Sequence, residues 1–348
     1  MSATPTNATA PGLNFSSRFE ELLYINSPSL QLLRAIKSAN ATSPATQAHF
    51  AYKRATRQLG GPKPKLQAQL AEQSFKDSDR QMGEGLTGGA VHRFLDLGAA
   101  PGGWSKWLLT RNPAAKGTGI ELPVAEGGRI LLMDGWSPEL KGRYRAMFRD
   151  IRQVSHTLAN PLAQSTNFDV VLAGAIPSEF KLTTPEAERV EHSGPRGPIL
   201  FLKQLFLAFT YLRPGGVFVG YAAKKPFLLN SEILILLRES FSDGIKSLPG
   251  SERFATGSTY QLKCRGFDDA KREDGLARLR RALDTLEAGG STHTVGKNGV
   301  LLLDGTEEEI FARERDWLLR HYEPLWEFQM AAIRKRTGEV TPSTVKMG

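Results

Sequence analysis

Cysteine is nearly missing from this chain: Cys264 stands alone among 348 residues. An intramolecular disulfide is therefore excluded, and the composition suits an intracellular protein. Long apolar runs are missing too. No segment reaches the roughly 20 uninterrupted apolar residues that span a bilayer. The most apolar stretches, ILFLKQLFLAFTYL (199–212) and SEILILLRESF (231–241), carry charges and read as buried helices. The six histidines (His49, His92, His156, His192, His293, His321) are scattered singly. None has a cysteine or second histidine at ligand spacing, so no metal site is expected. No cation precedes Arg18, so residues 1–17 read as a disordered tail rather than a secretory signal. The tail is poor in arginine for a mitochondrial presequence. Nucleus or cytoplasm is the expected address.

What is present in excess is positive charge. Lys and Arg number 45 against 36 Asp and Glu, a net charge of +9. That balance favours a polyanionic partner such as RNA. Arg143, Arg145, Arg149, the Lys224–Lys225 pair and RKR at 334–336 are candidate phosphate contacts.

The apolar pattern divides the chain. Residues 18–75 read as an N-terminal helical segment, with apolar positions at Phe19, Leu22, Leu23, Leu30, Leu33 and Ile36. GGPKPK (60–65) breaks it. From 76 to 265 strands and helices alternate. FLDLG (94–98), GTGIEL (117–122), FDVVLAG (168–174), VFVGYAA (217–223) and STYQLKC (258–264) read as strands. WSKWLLTR and the two apolar stretches above read as helices, the first of those ended by RPGG. Such alternation predicts an α/β fold: a doubly wound, mostly parallel sheet covered on both faces, with ligands at the carboxyl ends of the strands. Residues 266–348 read as a helical extension. It holds a charged amphipathic helix from 270, a hairpin at VGKNGVLLLDG with an Asn-Gly turn, and a helix from Thr306 to about 336 opened by a Thr306–Glu309 capping box. Ile310, Phe311, Trp317, Leu318, Tyr322, Leu325 and Trp326 are expected to face the core.

LDLGAAPGGWSKWL (95–108) links the first strand to a helix through Gly98, Gly102 and Gly103. Glycines in that context admit a nucleotide-like cofactor close to the backbone. The spacing is not the dinucleotide fingerprint, because positions 100 and 101 are Ala and Pro.

DLGAAPGGWS resembles the S-adenosylmethionine loop of the FtsJ-like ribose 2'-O-methyltransferases, and the resemblance runs from about Lys76 to Cys264. It implies a class I methyltransferase fold with S-adenosyl-L-methionine as cofactor. It implies a cofactor site made by Asp96, Gly98, Ala99, Ala100, Pro101, Gly102, Gly103 and Trp104. Glu121 would meet the ribose hydroxyls, and Asp150, in FRD, the adenine amino group. The family's chemistry rests on a Lys-Asp-Lys-Glu tetrad. Lys76, after an aromatic and 20 residues before Asp96, matches the first position. The aspartate position holds Gly174, the central lysine position Tyr221, and the glutamate position Ser258, with Glu252 further upstream. Lys224 and Lys225 follow Tyr221 closely enough to be candidates for the missing cation. Three roles stay open at this level: an RNA methyltransferase with a rebuilt site using Lys76, Tyr221, Lys224 or Lys225; a methyltransferase for another acceptor; and a non-catalytic cofactor- or RNA-binding relative. The loop from Ser178 to Pro198 is a candidate lid over the acceptor side.

Overall fold

The computed structural model describes residues 15–41, 43–44, 46–48, 51–52, 55, 64–83, 85–154, 167–175, 196–248, 255–289 and 300–337. The tail to residue 14, most of the candidate lid, Glu252 and the Asn-Gly turn lie outside them.

A seven-stranded sheet organises the molecule, in the order β3-β2-β1-β4-β5-β7-β6. Its members are β1 (Arg93–Leu97), β2 (Lys116–Glu121), β3 (Tyr144–Phe148), β4 (Phe168–Ala173), β5 (Leu212–Ala223), β6 (Ile245–Leu248) and β7 (Thr259–Arg265). All neighbours are parallel except β7, which runs antiparallel to β5 and β6. The expected doubly wound sheet is thus present. Two strands escaped the sequence reading: YRAMF and IKSL are short and interrupted by charge.

Side-chain alternation sends each central strand's residues to opposite layers. Phe94, Val170, Leu172 and Val219 join one core with Phe75, Trp104, Trp107 and Leu108. That layer is built by α3 (Pro64–Gln81) and α4 (Gly103–Arg111). Leu95, Leu97, Val171 and Phe218 join a second core. It is covered by α6 (Arg196–Tyr211), α7 (Leu228–Ser240), α8 (Arg272–Glu287) and α9 (Glu307–Thr337). α1 (Arg18–Asn26) and α2 (Pro28–Ala41) pack on α9, while the one-turn α5 (Pro138–Gly142) precedes β3.

Several local expectations change. The boundary at 75/76 falls inside α3, one continuous helix. RPGG does not simply stop the helix: β5 begins at Leu212 and carries those residues through an irregular pairing with β4. Gly215 and Gly216 exchange backbone hydrogen bonds with Phe267 (2.9 and 3.1 Å), which keeps the start of β5 paired. Residues 301–305 form bends instead of a hairpin strand. The reason is Glu232, fully buried, whose Oε1 accepts the N–H groups of Leu301, Leu302 and Leu303 at 2.9, 2.7 and 3.1 Å. Amides held by one carboxylate oxygen are not free for a strand ladder. The capping box forms as expected: Thr306 N–H donates to Glu309 (2.8 Å) and Glu309 N–H to Thr306 Oγ1 (3.2 Å). Ile310, Leu318, Tyr322, Leu325 and Trp326 are buried.

Candidate cofactor cleft and acceptor site

The turn after β1 has a local logic independent of any ligand. Gly98 has φ +90° and Gly102 φ +98°, values that L side chains rarely adopt. A Cβ at Gly98 would lie 2.3 Å from the amide nitrogen of Ala175, and one at Gly103 would lie 2.4 Å from the carbonyl oxygen of Ala68. Gly103 is therefore demanded by the crossing of α4 over α3. Gly98 is demanded by the strand-end segment 174–175, whose Ala175 backbone is gripped by the buried Gln204 amide (3.0 and 3.1 Å).

Around this turn opens a cleft of about 310 Å³, within the size range of small-molecule sites. Asp96, Gly98, Ala99, Ala100, Pro101, Gly102, Gly103 and Trp104 line it. The turn thus contributes mainly backbone and small side chains. Asp96 is buried, accepts from Ser105 Oγ at 2.6 Å, and is held up at about 7 by desolvation. Ser105 also reaches the Tyr144 hydroxyl (3.2 Å), so a buried polar triad underlies the turn. Glu121 ends β2 with Oε2 accepting the Ala100 N–H at 2.8 Å, which ties the second strand to the loop; burial shifts its carboxyl upward. Asp150 lies on the neighbouring strand's end. It caps a short turn and is engaged by Arg152 (2.7 Å); this hydrogen bonding and charge outweigh its burial and hold its carboxyl low. Neither Glu121 nor Asp150 is among the lining residues; Glu121 borders the cleft through the Ala100 amide, and Asp150 follows the end of β3.

The residues fit the cofactor the sequence suggests. The turn offers a close backbone surface at the N-terminus of α4, with acidic groups at the ends of the next two strands.

Comparison with known proteins follows the same line. Residues 65–265 match the family model described as FtsJ-like methyltransferase. The ribosomal RNA large subunit methyltransferase E of Novosphingobium aromaticivorans is 29% identical over 221 residues, covering 61% of this chain and 86% of that one. Its namesake from Sorangium cellulosum is 31% identical over 129 residues, 37% of this chain and 51% of that one. Among solved structures, the N-methyltransferase NodS from Bradyrhizobium japonicum superposes with a TM-score of 0.32 at 16% identity, over 56% of this chain and 96% of that one.

The chain belongs to the FtsJ-like methyltransferase family. Its cofactor is S-adenosyl-L-methionine. The match opens at residue 65, at the start of α3, so α1, α2, α8 and α9 lie outside the family domain.

Gly174 and Tyr221, which the sequence resemblance aligned with two tetrad positions, both line the cleft. Tyr221 sits 5.4 Å from Trp104 between ring centroids, and Trp104 in turn stacks on Phe75 at 4.9 Å. Burial pushes the Tyr221 phenol up to about 12, with the Gln261 amide opposing. At the third position Thr259 lines the cleft beside the exposed Ser258.

The proposed lysines are not brought there. Lys76 is exposed on α3 and is not among the lining residues; Ala71 is the lining residue of that helix. Lys224 is buried at 2% exposure with Nζ donating to the Ala255 carbonyl at 2.9 Å. Lys225 is exposed, its ammonium 5.2 Å above the Phe227 ring. Sequence reasoning missed Arg129, which lines the cleft and whose backbone N–H and charge both act on Glu121. The one available signal was its place in the β2–β3 connection. That connection also roofs the turn, since Leu131 and Trp136 are the nearest side chains to Gly102. Among the described residues no group of three or more metal-ligating side chains occurs, and no helix is long and apolar enough to cross a membrane.

Proposed function

We propose that this protein transfers a methyl group from S-adenosylmethionine to RNA, at a ribose 2'-hydroxyl, with Tyr221 taking the place of the family's central lysine. The observation that carries the reading is the cleft itself. The glycine turn is followed, around one cavity, by Gly174, Tyr221 and Thr259, at or beside the positions where the family keeps its reacting groups. The relatives from Novosphingobium and Sorangium are ribosomal RNA methyltransferases by name, and a charge of +9 suits that class of acceptor.

S-adenosylmethionine held in this cleft would supply a sulfonium methyl for transfer to the acceptor oxygen, whose proton would pass to solvent. The chain's own residues hold the geometry. Asp96, the turn backbone, Glu121 and Asp150 fix the cofactor's orientation. Tyr221 is protonated at neutral pH, since its phenol titrates near 12. It therefore acts as a hydrogen-bonding guide for the acceptor oxygen and not as a base. Positioning supplies much of the rate in such in-line transfers. The helices outside the matched region share a buried core with the matched domain.

A second reading is favoured by one observation: no lysine side chain lines the cleft among the described residues. On that reading the protein binds the cofactor without transferring its methyl. The test is transfer of labelled methyl from S-adenosylmethionine to total RNA, with protein and metabolite fractions alongside. Wild type, Tyr221→Phe and Lys76→Ala are compared. Label in RNA that falls about ten- to a hundredfold in Tyr221→Phe supports the guide role. Label confined to another fraction identifies another acceptor. Cofactor binding with no label anywhere supports the second reading.

A further inference from the structure

Cations from separate parts of the chain gather just past the end of β5, at the rim of the cleft. Lys224 follows that strand; its N–H donates to the Ser258 carbonyl at 2.7 Å, next to the cleft residue Thr259. Lys225 stands beside it, exposed. Lys37 arrives from α2 and donates to Gln329 Oε1 of α9 at 3.1 Å. Gln329 is buried and donates in turn to the carbonyls of Thr256 and Gly257 (3.2 and 2.8 Å), the turn that leads into Thr259. A hydrogen-bonded path therefore ties α2 and α9 to the acceptor edge of the sheet.

The charges feel one another. Lys37 is repelled by Lys225 and Arg34, and Lys224 by Lys37. Desolvation first, and these neighbours second, hold the ammonium groups of Lys37 and Lys224 down at about 8. Although Lys37 is an exposed residue overall, its ammonium tucks against buried Gln329. Arg34 is neutralised by Glu20. Among the described residues no carboxylate pairs with Lys37 or Lys225. On α9, Glu323 and Glu327 accept from Ser27 and Ser29 (both 3.4 Å). Bringing like charges together costs free energy that an anion would return. Lys224 already has an internal task, holding the Ala255 carbonyl. Lys37 reaches backbone only through Gln329, and the Lys225 ammonium lies over the Phe227 ring, so among the described residues neither donates directly to a main-chain carbonyl.

We infer that Lys37 and Lys225 contact backbone phosphates of the acceptor RNA as it enters the cleft, above the fixed charge of Lys224. This rests on the RNA reading and adds to it an acceptor surface supplied partly by α2, outside the family-matched region. It gives the N-terminal helices a role in acceptor binding as well as in packing.

The test uses the full chain and a fluorescein-labelled, mixed-sequence, single-stranded RNA of about twenty nucleotides. Anisotropy titrations are run from about 50 to 250 mM salt for wild type, Lys37→Ala with Lys225→Ala, and Lys37→Arg with Lys225→Arg. Two lost phosphate contacts on a single strand reduce the log–log salt slope by about 1.4, and weaken binding about tenfold or more at the lowest salt. The arginine pair keeps wild-type slope and affinity, which separates a phosphate contact from a packing effect. Calorimetric affinity for S-adenosylmethionine stays unchanged in both variants. Wild-type slope and affinity in the alanine pair would overturn the inference and leave the RNA reading standing. A wild-type chain that binds no RNA at low salt would overturn both.

Discussion

The peptide of Ala175 lies directly against Gly98, so close that any side chain at 98 would sit 2.3 Å from the Ala175 nitrogen. This contact joins the cofactor turn at the end of β1 to the strand end that begins the acceptor site. Gly98→Ala adds a methyl where there is no room and strains a φ of +90°. We expect a loss of roughly 3 kcal/mol in stability. Calorimetric affinity for S-adenosylmethionine should fall with it, because segment 174–175 must move. A stable variant with wild-type affinity would show that the contact is dispensable.

The pH dependence of the cofactor-free protein follows from buried carboxyls, Asp96 and Glu232 foremost, with burial moving Glu121 in the same direction. Desolvation raises Asp96 and Glu232 to about 7 each. Their unfolded values are near 4. The folded state therefore holds more protons between pH 4 and 7, and stability declines as pH rises through that window. The contribution is full below about pH 4 and lost once pH passes 7. Thermal melts at pH 5.5, 6.5, 7.5 and 8.5 should show Tm falling by several degrees, mostly before pH 7.5. Asp96→Asn keeps an oxygen for Ser105 and removes one titration, so its profile should be flatter. A profile as steep as wild type would place the dependence elsewhere.

How much of this was legible in the sequence differs between elements for physical reasons. The central strands announced themselves because both faces are buried and their residues are nearly all apolar, as in FDVVLA. YRAMF and IKSL did not, since the first exposes Arg145 and Phe148 and the second is only partly buried. The cofactor turn was readable because its residues are contiguous. Its glycines serve the protein's own packing at 98 and 103, which no sequence pattern separates from ligand approach. Thr259 and Ala71 reach the cleft only through β5–β7 pairing and the α3–α4 crossing, both set by long-range contacts. Lys224 was proposed from proximity to Tyr221 along the chain. The structure instead turns its ammonium to the Ala255 carbonyl.

Trp326 binds the C-terminal extension to the catalytic domain. It is fully buried, stacks on Tyr322 at 5.2 Å, and donates from Nε1 to the Lys224 carbonyl at 2.9 Å. Trp326→Ala leaves a large cavity and removes the hydrogen bond to the Lys224 carbonyl, at a cost of about 3–5 kcal/mol. Urea unfolding should show a single transition shifted to lower denaturant if the extension and the domain fold together. A second, separate transition would mean that α9 is an independent unit.

On the proposed reading, Gly174 and Tyr221 can be exchanged for the residues that the resemblance expects there, and the space around them sets the cost. A Cβ at Gly174 meets nothing nearer than 3.7 Å, and its φ is not in the left-handed region. Gly174→Asp should therefore fold, with Tm within a few degrees of wild type. It places a carboxylate in a cleft that already holds Asp96, an unfavourable pairing for the single variant. Tyr221→Lys alone gives up the contact with Trp104 for a cation. Together the two substitutions supply opposite charges to one cavity, so the double variant should be more stable than the sum of the singles predicts. If the acceptor is a ribose hydroxyl, methyl transfer to RNA should rise about tenfold over wild type in the double variant and in neither single. An unchanged rate with intact cofactor affinity would mean that Tyr221 already performs the guiding role fully, or that the acceptor is not ribose; the chemical identity of the methylated product distinguishes these.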